Sequence, residues 1–224
     1  IRRSPEDIGL LPDGAKVYSQ LGSNSHDSDE HSVTVSKAMK SPALWLLTLS
    51  MSIGLFSMST NASSMVPFFQ SIGFSGSVAA SGLSIYGLFS IISRFFWGYV
   101  ADRYTVKTAI IFQSILTSLG IVFYLSVQSQ TTLFLAAAYH GLVLGGFVVL
   151  NPLIWPAYFG RLHLGAISGI TQFFTTFALA AGPIFAGFIY DATDAYTWAY
   201  RTLVASWIIT ALVIILVRPV SVTR

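Results

Sequence analysis

The sequence contains no cysteine and very little charge. Without cysteine among its 224 residues, the chain has no disulfide framework, no thiolate metal site and no cysteine nucleophile. Charged residues make up only 9% of the chain, whereas 54% of it is hydrophobic. Soluble domains usually carry about 25% charged residues. The composition therefore argues against a soluble fold and indicates a surface that meets lipid.

Three further absences narrow the classes of function. No Gly-x-x-x-x-Gly-Lys-Ser/Thr loop is present, so ATP is not expected to drive the protein. The candidate acid–base residues Asp102, His163 and Asp191 are predicted on opposite sides of a bilayer, so we expect neither an enzyme active site nor a cofactor. His26 and His31 lie in a polar stretch that reads as a solvated linker, and no metal site is predicted there.

Long apolar runs dominate the rest of the sequence. A helix of about 20 apolar residues crosses the hydrocarbon core of a bilayer, and these runs lack the two-residue alternation of barrel strands. The sequence therefore predicts an all-α integral membrane bundle of six helices within residues 42–219. The predicted spans are 43–69, 78–101, 106–127, 131–154, 164–189 and 197–217.

The twelve Lys and Arg residues predict the orientation of the bundle. Ten of them precede the first span, follow the last, or join spans two and three or four and five, whereas Arg201 lies on the other side and Arg94 lies inside a span. By the positive-inside rule, both ends of the chain are expected in the cytoplasm, with the protein in a plasma or inner membrane. Residues 1–41 are predicted to be a largely flexible cytoplasmic loop, and residues 220–224 a cytoplasmic tail.

The connector after the second span carries a recognisable motif. Gly98-Tyr-Val-Ala-Asp102-Arg103, followed by Lys107, resembles the Gly-x-x-x-Asp-Arg-x-Gly-Arg-Lys loop of the major facilitator superfamily, with Thr and Val in place of the second Gly and Arg. Four further stretches resemble, in the same order, those of monocarboxylate and oxalate/formate-type members. These stretches are 2–14, 66–75, 158–165 and 182–191.

This resemblance implies the second six-helix half of a twelve-helix transporter. The chain starts at Ile1 without an initiator Met, which agrees with a longer polypeptide whose first half is the expected partner. The implied function is secondary active transport of a small organic anion, a monocarboxylate, by proton symport or anion exchange. A carrier of neutral or cationic solutes, a drug efflux carrier, and a non-transporting sensor or scaffold remain alternatives. No nucleic-acid partner is expected.

The same resemblance assigns a gating role to the connector. In the family, this loop latches the ends of the two halves through charge and helix-dipole contacts. The residues that carry the motif here are Gly98, Asp102, Arg103 and Lys107.

Arg94 is the candidate anion-binding residue. A guanidinium within a span costs a few kcal/mol on insertion scales, and Arg94 lies about 12 Å deeper along its helix than Asp102. Gly87, Ser90 and Gly98 share its helical face and suit either a water-lined cleft or close helix packing. In the transporters that this helix resembles, the equivalent arginine binds the substrate carboxylate. A structural charge network with Asp102 is the alternative.

Other polar residues at membrane depth complete the predicted substrate cleft. They are Tyr86, Gln172, His140 and Asn61. His140 has two interpretations, a proton relay or a neutral histidine hydrogen-bonded between helices. An oxalate/formate-type site would add a second basic residue in segment 167–179, which has none. We therefore expect a single carboxylate, held by one planar guanidinium.

Small residues spaced four apart predict where helices approach closely. The three patterns are Gly141-x-x-x-Gly145, Gly165-x-x-x-Gly169 and Gly182-x-x-x-Ala186. We expect all three to lie at helix–helix contacts rather than in the substrate site.

Overall fold

The computed structural model describes residues 33–218, and this part of the chain is built of helices alone. The short helix α1 is Val35–Lys40. Six long helices follow: α2 (Pro42–Ser71), α3 (Gly76–Arg103), α4 (Val106–Leu125), α5 (Gln130–Phe159), α6 (Leu164–Thr193) and α7 (Thr197–Leu216). Each of the six is long and apolar enough to cross a membrane. The predicted all-α class with six spans is confirmed, and the chain is a multi-pass integral membrane protein.

The observed helices follow the predicted spans to within two residues at most of their ends. The exceptions are α5, which continues to Phe159 instead of 154, and α6, which continues to Thr193 instead of 189. Pro152 and Pro156 lie inside α5, because neighbouring helices can satisfy the backbone groups that a proline frees. Helix α5 ends at Phe159. The residue after it, Gly160, has a φ of 75°, a conformation that glycine adopts without steric cost.

Some predictions concern residues that the structure does not describe. Most of the predicted loop 1–41, including His26 and His31, lies outside the described residues, as does the predicted tail 220–224. Helix α1, at the end of the loop segment, was not predicted from the sequence.

The six long helices form two three-helix units of similar design. Their lengths are 30, 28 and 20 residues in α2 to α4 and 30, 30 and 20 residues in α5 to α7. Helix α2 packs on α6 and α7 in the way that α5 packs on α3 and α4, and α4 packs on α7. Because each unit has three spans, the second enters the membrane from the opposite side. The fold is thus an inverted repeat, as found within each half of facilitator-type transporters.

One end of the bundle collects most of the positive charge, and we name it the basic end. There the amide of Val33 donates to the carbonyl oxygen of Phe159 at 2.9 Å, and Lys107 Nζ donates to the carbonyl oxygen of Val217 at 2.6 Å. The first contact ties the segment before α1 to the end of α5, and the second ties the start of α4 to the end of α7. Its basic residues are Lys37, Lys40, Arg103, Lys107, Arg161 and Arg218.

Glycines allow two pairs of helices to approach closely. A Cβ atom at Gly141 would lie 2.4 Å from the carbonyl oxygen of Tyr86, and one at Gly145 would lie 2.5 Å from that of Ser90. A Cβ atom at Gly182 would lie 2.7 Å from a backbone nitrogen of α2. These distances are too short for any side chain, so the prediction that these two patterns lie at close helix contacts is confirmed; the structure shows that the helices that meet are α5 with α3 and α6 with α2.

The third glycine pair does not lie at a helix contact within the described part of the chain. A Cβ atom at Gly165 or Gly169 would have no atom within 4 Å among the described residues. Both glycines lie on a face of α6 that no other described helix covers. The spacing of small residues does not specify which way a helix turns them.

Candidate functional site

Packing between α3 and α5 fixes the rotation of α3 and therefore the direction of Arg94. Ser93 and Trp97 are buried on the side that meets α5. The indole Nε1 of Trp97 donates a hydrogen bond to the carbonyl oxygen of Leu142 at 3.0 Å. Arg94 follows Ser93 by one residue, about 100° around the helix, and its side chain is exposed. Arg94 therefore lies at the edge of the contact between α3 and α5 and faces away from that contact.

The surroundings of Arg94 are open. Gly87 and Gly98, which share its helical face, would have no atom within 4 Å of an added Cβ, so neither is a packing position within this bundle. No ion pair joins Arg94 to Asp102 or to another carboxylate within residues 33–218. Tyr86, a second predicted site residue, lies on the same helix eight residues before Arg94, about 12 Å along the helix axis.

His140 lies deeper, among aromatic rings. Its ring centroid lies 5.9 Å from that of Tyr86 and 4.7 Å from that of Tyr124, and Tyr124 continues the cluster to Tyr200 at 6.1 Å. His140 is fully buried, and neither of its ring nitrogens has a hydrogen-bond partner among the described residues. The hydrogen bond expected for a neutral interhelical histidine is thus not formed with any of them.

Asn61 is also enclosed by the bundle. It lies on α2 with a side chain only 1% exposed, and neither atom of its amide group has a hydrogen-bond partner in the described part of the chain. In this conformation neither Asn61 nor His140 reaches an open surface. Their predicted place along the cleft stays a prediction.

Gln172 occupies a third location. It lies on α6 and lines a cavity of about 270 Å³ between α5 and α6. Its Nε2 donates to Thr176 Oγ1 at 3.2 Å. Sequence reasoning missed Asn151, which lines the same cavity. An amide side chain within the apolar run of α5 was visible in the sequence and is the feature that would have revealed it.

The gating residues divide into an exposed group and an anchored lysine. Asp102 and Arg103 are exposed at the end of α3, and Gly98 lies one turn earlier. Lys107 is half-buried, and its Nζ donates to the carbonyl oxygens of Ile215 at 3.0 Å and Val217 at 2.6 Å. A cation at this position caps the C-terminal end of α7, where unpaired carbonyls and the helix dipole favour positive charge. Lys107 thus makes its helix-dipole contact within this half.

Removing the Lys107 ammonium should loosen the end of α7. We expect Lys107→Met to destabilise the protein by about 1 kcal/mol, measured as a lower thermal unfolding temperature of the purified full-length protein. Arg161→Met is the matched control, because Arg161 is exposed at the same basic end and has no ion pair in the described region. An equal shift in both variants would show that loss of positive charge, and not loss of the cap, is responsible.

Comparison with known proteins gives a family and three related proteins. The family model of the Major Facilitator Superfamily matches residues 33–224. Monocarboxylate transporter 12 of Rattus norvegicus is 27% identical over 140 residues, which cover 61% of this chain and 29% of that protein. The proteins of the same name from Mus musculus and Homo sapiens are 26% and 27% identical over 140 residues, covering 29% and 27% of their lengths. The chain thus matches less than a third of the length of these relatives.

Proposed function

Because the chain belongs to the Major Facilitator Superfamily, we propose that it is the second half of a secondary active transporter that carries a small monocarboxylate by alternating access. The first six-helix half of the same polypeptide would be its partner, and the substrate would bind between the two halves. The related proteins named monocarboxylate transporter 12 support this substrate class. Membership of this family also favours a transporter over an enzyme.

The proposal rests mainly on the exposure of Arg94 and on its lack of a carboxylate partner. It is an exposed guanidinium within a membrane span, and no carboxylate of the described residues pairs with it. Such a charge is costly in a bilayer unless a partner or a water-filled cavity compensates it. A substrate carboxylate supplies that partner, because the planar fork of arginine donates two parallel hydrogen bonds to it. Tyr86, on the same helix, would line the cleft as a second polar residue.

The lack of a second positive charge near Arg94 favours a substrate with one carboxylate over a substrate with two. Helix α6 carries no Lys or Arg along its whole length, Leu164–Thr193. Arg94 is the one basic residue in the interior of a long helix at this depth in the described chain. A dicarboxylate would need a second cation to offset its second charge, so a monoanion fits this half best.

The uncovered faces of α3 and α6 support a partner half. Phe95 on α3 is 81% exposed, and Ile184 and Phe188 on α6 are 74% and 67% exposed. We propose that the first half packs against these two helices and leaves the Arg94 cleft between the halves. The basic end of the bundle would lie in the cytoplasm of a plasma or inner membrane. There Asp102 and Arg103 would latch onto the first half, and Lys107 would hold their turn against α7.

Uptake by the full-length protein in proteoliposomes tests the proposal. A panel of labelled monocarboxylates is offered under an imposed proton gradient, and in parallel to vesicles preloaded with unlabelled anion. Acceleration by the gradient identifies proton symport, and acceleration by the preloaded anion identifies exchange. If no monocarboxylate is taken up under either condition, the proposal is wrong, and neutral or cationic solutes become the next substrates to test.

Substitution of His140 distinguishes a mechanism in which this residue relays protons from one in which it does not. Its ring packs between Tyr86 and Tyr124, and no charged side chain within residues 33–218 pairs with it. We therefore expect His140→Phe, which keeps an aromatic ring there, to retain most of the gradient-driven uptake. Loss of gradient-driven uptake with exchange preserved would instead identify His140 as a proton relay.

A further inference from the structure

The cavity between α5 and α6 is lined by polar but uncharged side chains. Its volume is about 270 Å³, and it is formed where these two helices separate. No Lys, Arg, Asp, Glu or His side chain lines it. The polar lining residues are Asn151, Trp155, Ser168, Thr171, Gln172 and Thr175.

Three of these residues have hydrogen-bonding groups that the protein leaves unused. Neither the amide of Asn151, the indole N–H of Trp155 nor the hydroxyl of Ser168 has a hydrogen-bond partner among residues 33–218. Trp155 is only 7% exposed. Polar groups held at membrane depth cost free energy unless they are paired or hydrated. A ligand with hydroxyl oxygens would pair with all three.

The threonines of α6 add acceptors to these donors. Thr171 Oγ1 donates to the carbonyl oxygen of Ser168 at 3.1 Å, and Thr175 Oγ1 donates to that of Gln172 at 3.2 Å. Each hydroxyl proton is thereby committed to the helix, and the oxygen lone pairs remain available as acceptors. A lining with both donors and acceptors matches hydroxyl groups, which donate one hydrogen bond and accept others.

The cavity lies at the same depth in the membrane as Arg94. Helices α3 and α5 run in register, since Gly141 meets Tyr86 and Gly145 meets Ser90. Arg94 is therefore level with residue 149 of α5, at the same spacing along the sequence as these two pairs. Asn151 is two residues further on, about 3 Å along the helix axis. A molecule held at Arg94 is therefore at the right depth to extend toward the cavity.

We propose that this cavity is a second subsite, which binds a chain of several hydroxyl groups, and that the substrate class is polyhydroxylated monocarboxylates, the sugar acids. The inference rests on the proposed transport function and narrows it. At about 30 Å³ per water-sized group, the volume accommodates the hydroxylated chain of a sugar acid. An alkyl chain of equal length would leave the donors unpaired, and sites built to bond a hydroxyl discriminate strongly against analogues that lack it.

Competition between two six-carbon monocarboxylates tests the subsite. Gluconate carries five hydroxyl groups and hexanoate carries none, so the two differ mainly in the part that the cavity would bind. In proteoliposomes of the full-length protein, we expect gluconate to be preferred. Ser168→Ala and the isosteric Thr175→Val should each raise the KM for gluconate by roughly threefold to tenfold and leave the KM for hexanoate unchanged. Thr202→Val, on an exposed part of α7, is the control and should change neither KM.

Each other outcome has a definite meaning. If monocarboxylates are transported but hexanoate is preferred, or if the two variants leave the preference unchanged, the subsite is overturned while the proposed function stands. An equal loss for both substrates also overturns it, because a hydroxyl subsite must discriminate between them. If no monocarboxylate is transported, the proposed function itself fails.

Discussion

Replacing Arg94 by glutamine is expected to lower the uptake of every transported monocarboxylate by about 100-fold. The substitution removes two charge-assisted hydrogen bonds to the carboxylate, and such bonds contribute about 1.5–3 kcal/mol each, where 1.4 kcal/mol corresponds to a tenfold change. Glutamine retains a polar group of similar reach but no charge. Lysine keeps the charge and lacks the planar fork, so Arg94→Lys should also lose most of the uptake.

The initial rate of uptake by the full-length protein in proteoliposomes checks this expectation. Arg161→Gln is the matched control, because it removes an equal charge from an exposed residue at the basic end. Its uptake should stay close to that of the wild type. Substantial uptake by either Arg94 variant would reduce Arg94 to a structural residue and remove the main support for an anionic substrate.

Adding methyl groups at Gly141 and Gly145 is expected to disrupt the bundle. Each new Cβ would lie within 2.5 Å of a carbonyl oxygen of α3, and a helix backbone cannot move aside as a flexible side chain can. Overpacking typically costs about 1–3 kcal/mol per site, so the double variant Gly141→Ala/Gly145→Ala should lose much of its folded population. Thermal unfolding of the purified full-length protein, together with its yield as a monodisperse species, measures the effect.

The pair Gly165 and Gly169 supplies a control with identical spacing. Because no described atom lies within 4 Å of an added Cβ at either position, Gly165→Ala/Gly169→Ala should leave the packing within this half intact and destabilise the protein less than Gly141→Ala/Gly145→Ala. Alanine even favours the helix over glycine by about 1 kcal/mol per site. Equal damage in the two double variants would mean that the contact of α3 with α5 is not the reason for the loss.

The fold was predictable because the length of each apolar run determines whether it spans a membrane. All six long helices followed from that one property. The ends of α5 and α6 were missed because a helix can continue beyond the apolar run that crosses the hydrocarbon core, so the length of that run does not mark where the helix ends. The contrast between Gly145 and Gly169 required the structure, since spacing along one helix does not reveal which neighbour the glycines face.

The candidate site was predictable only in part. Arg94 was identified from a charge inside a span, and Tyr86 was named as a polar residue at membrane depth; the structure places both on α3, eight residues apart. The cap that Lys107 forms on α7 was not predictable, because it joins residues 108 and 110 positions apart. The cavity at Asn151 depends likewise on how far α5 and α6 separate, which no local pattern encodes.

Equilibrium binding tests the central claim, that Arg94 binds the carboxylate of the transported molecule, most directly. Binding of a labelled monocarboxylate to the full-length protein in detergent is measured for the wild type and for Arg94→Gln, with the unlabelled acid and its neutral amide as competitors. The account predicts saturable binding to the wild type that the acid displaces and the amide does not, and no saturable binding to the variant. Equal binding to both proteins, or equal displacement by the amide, would contradict it.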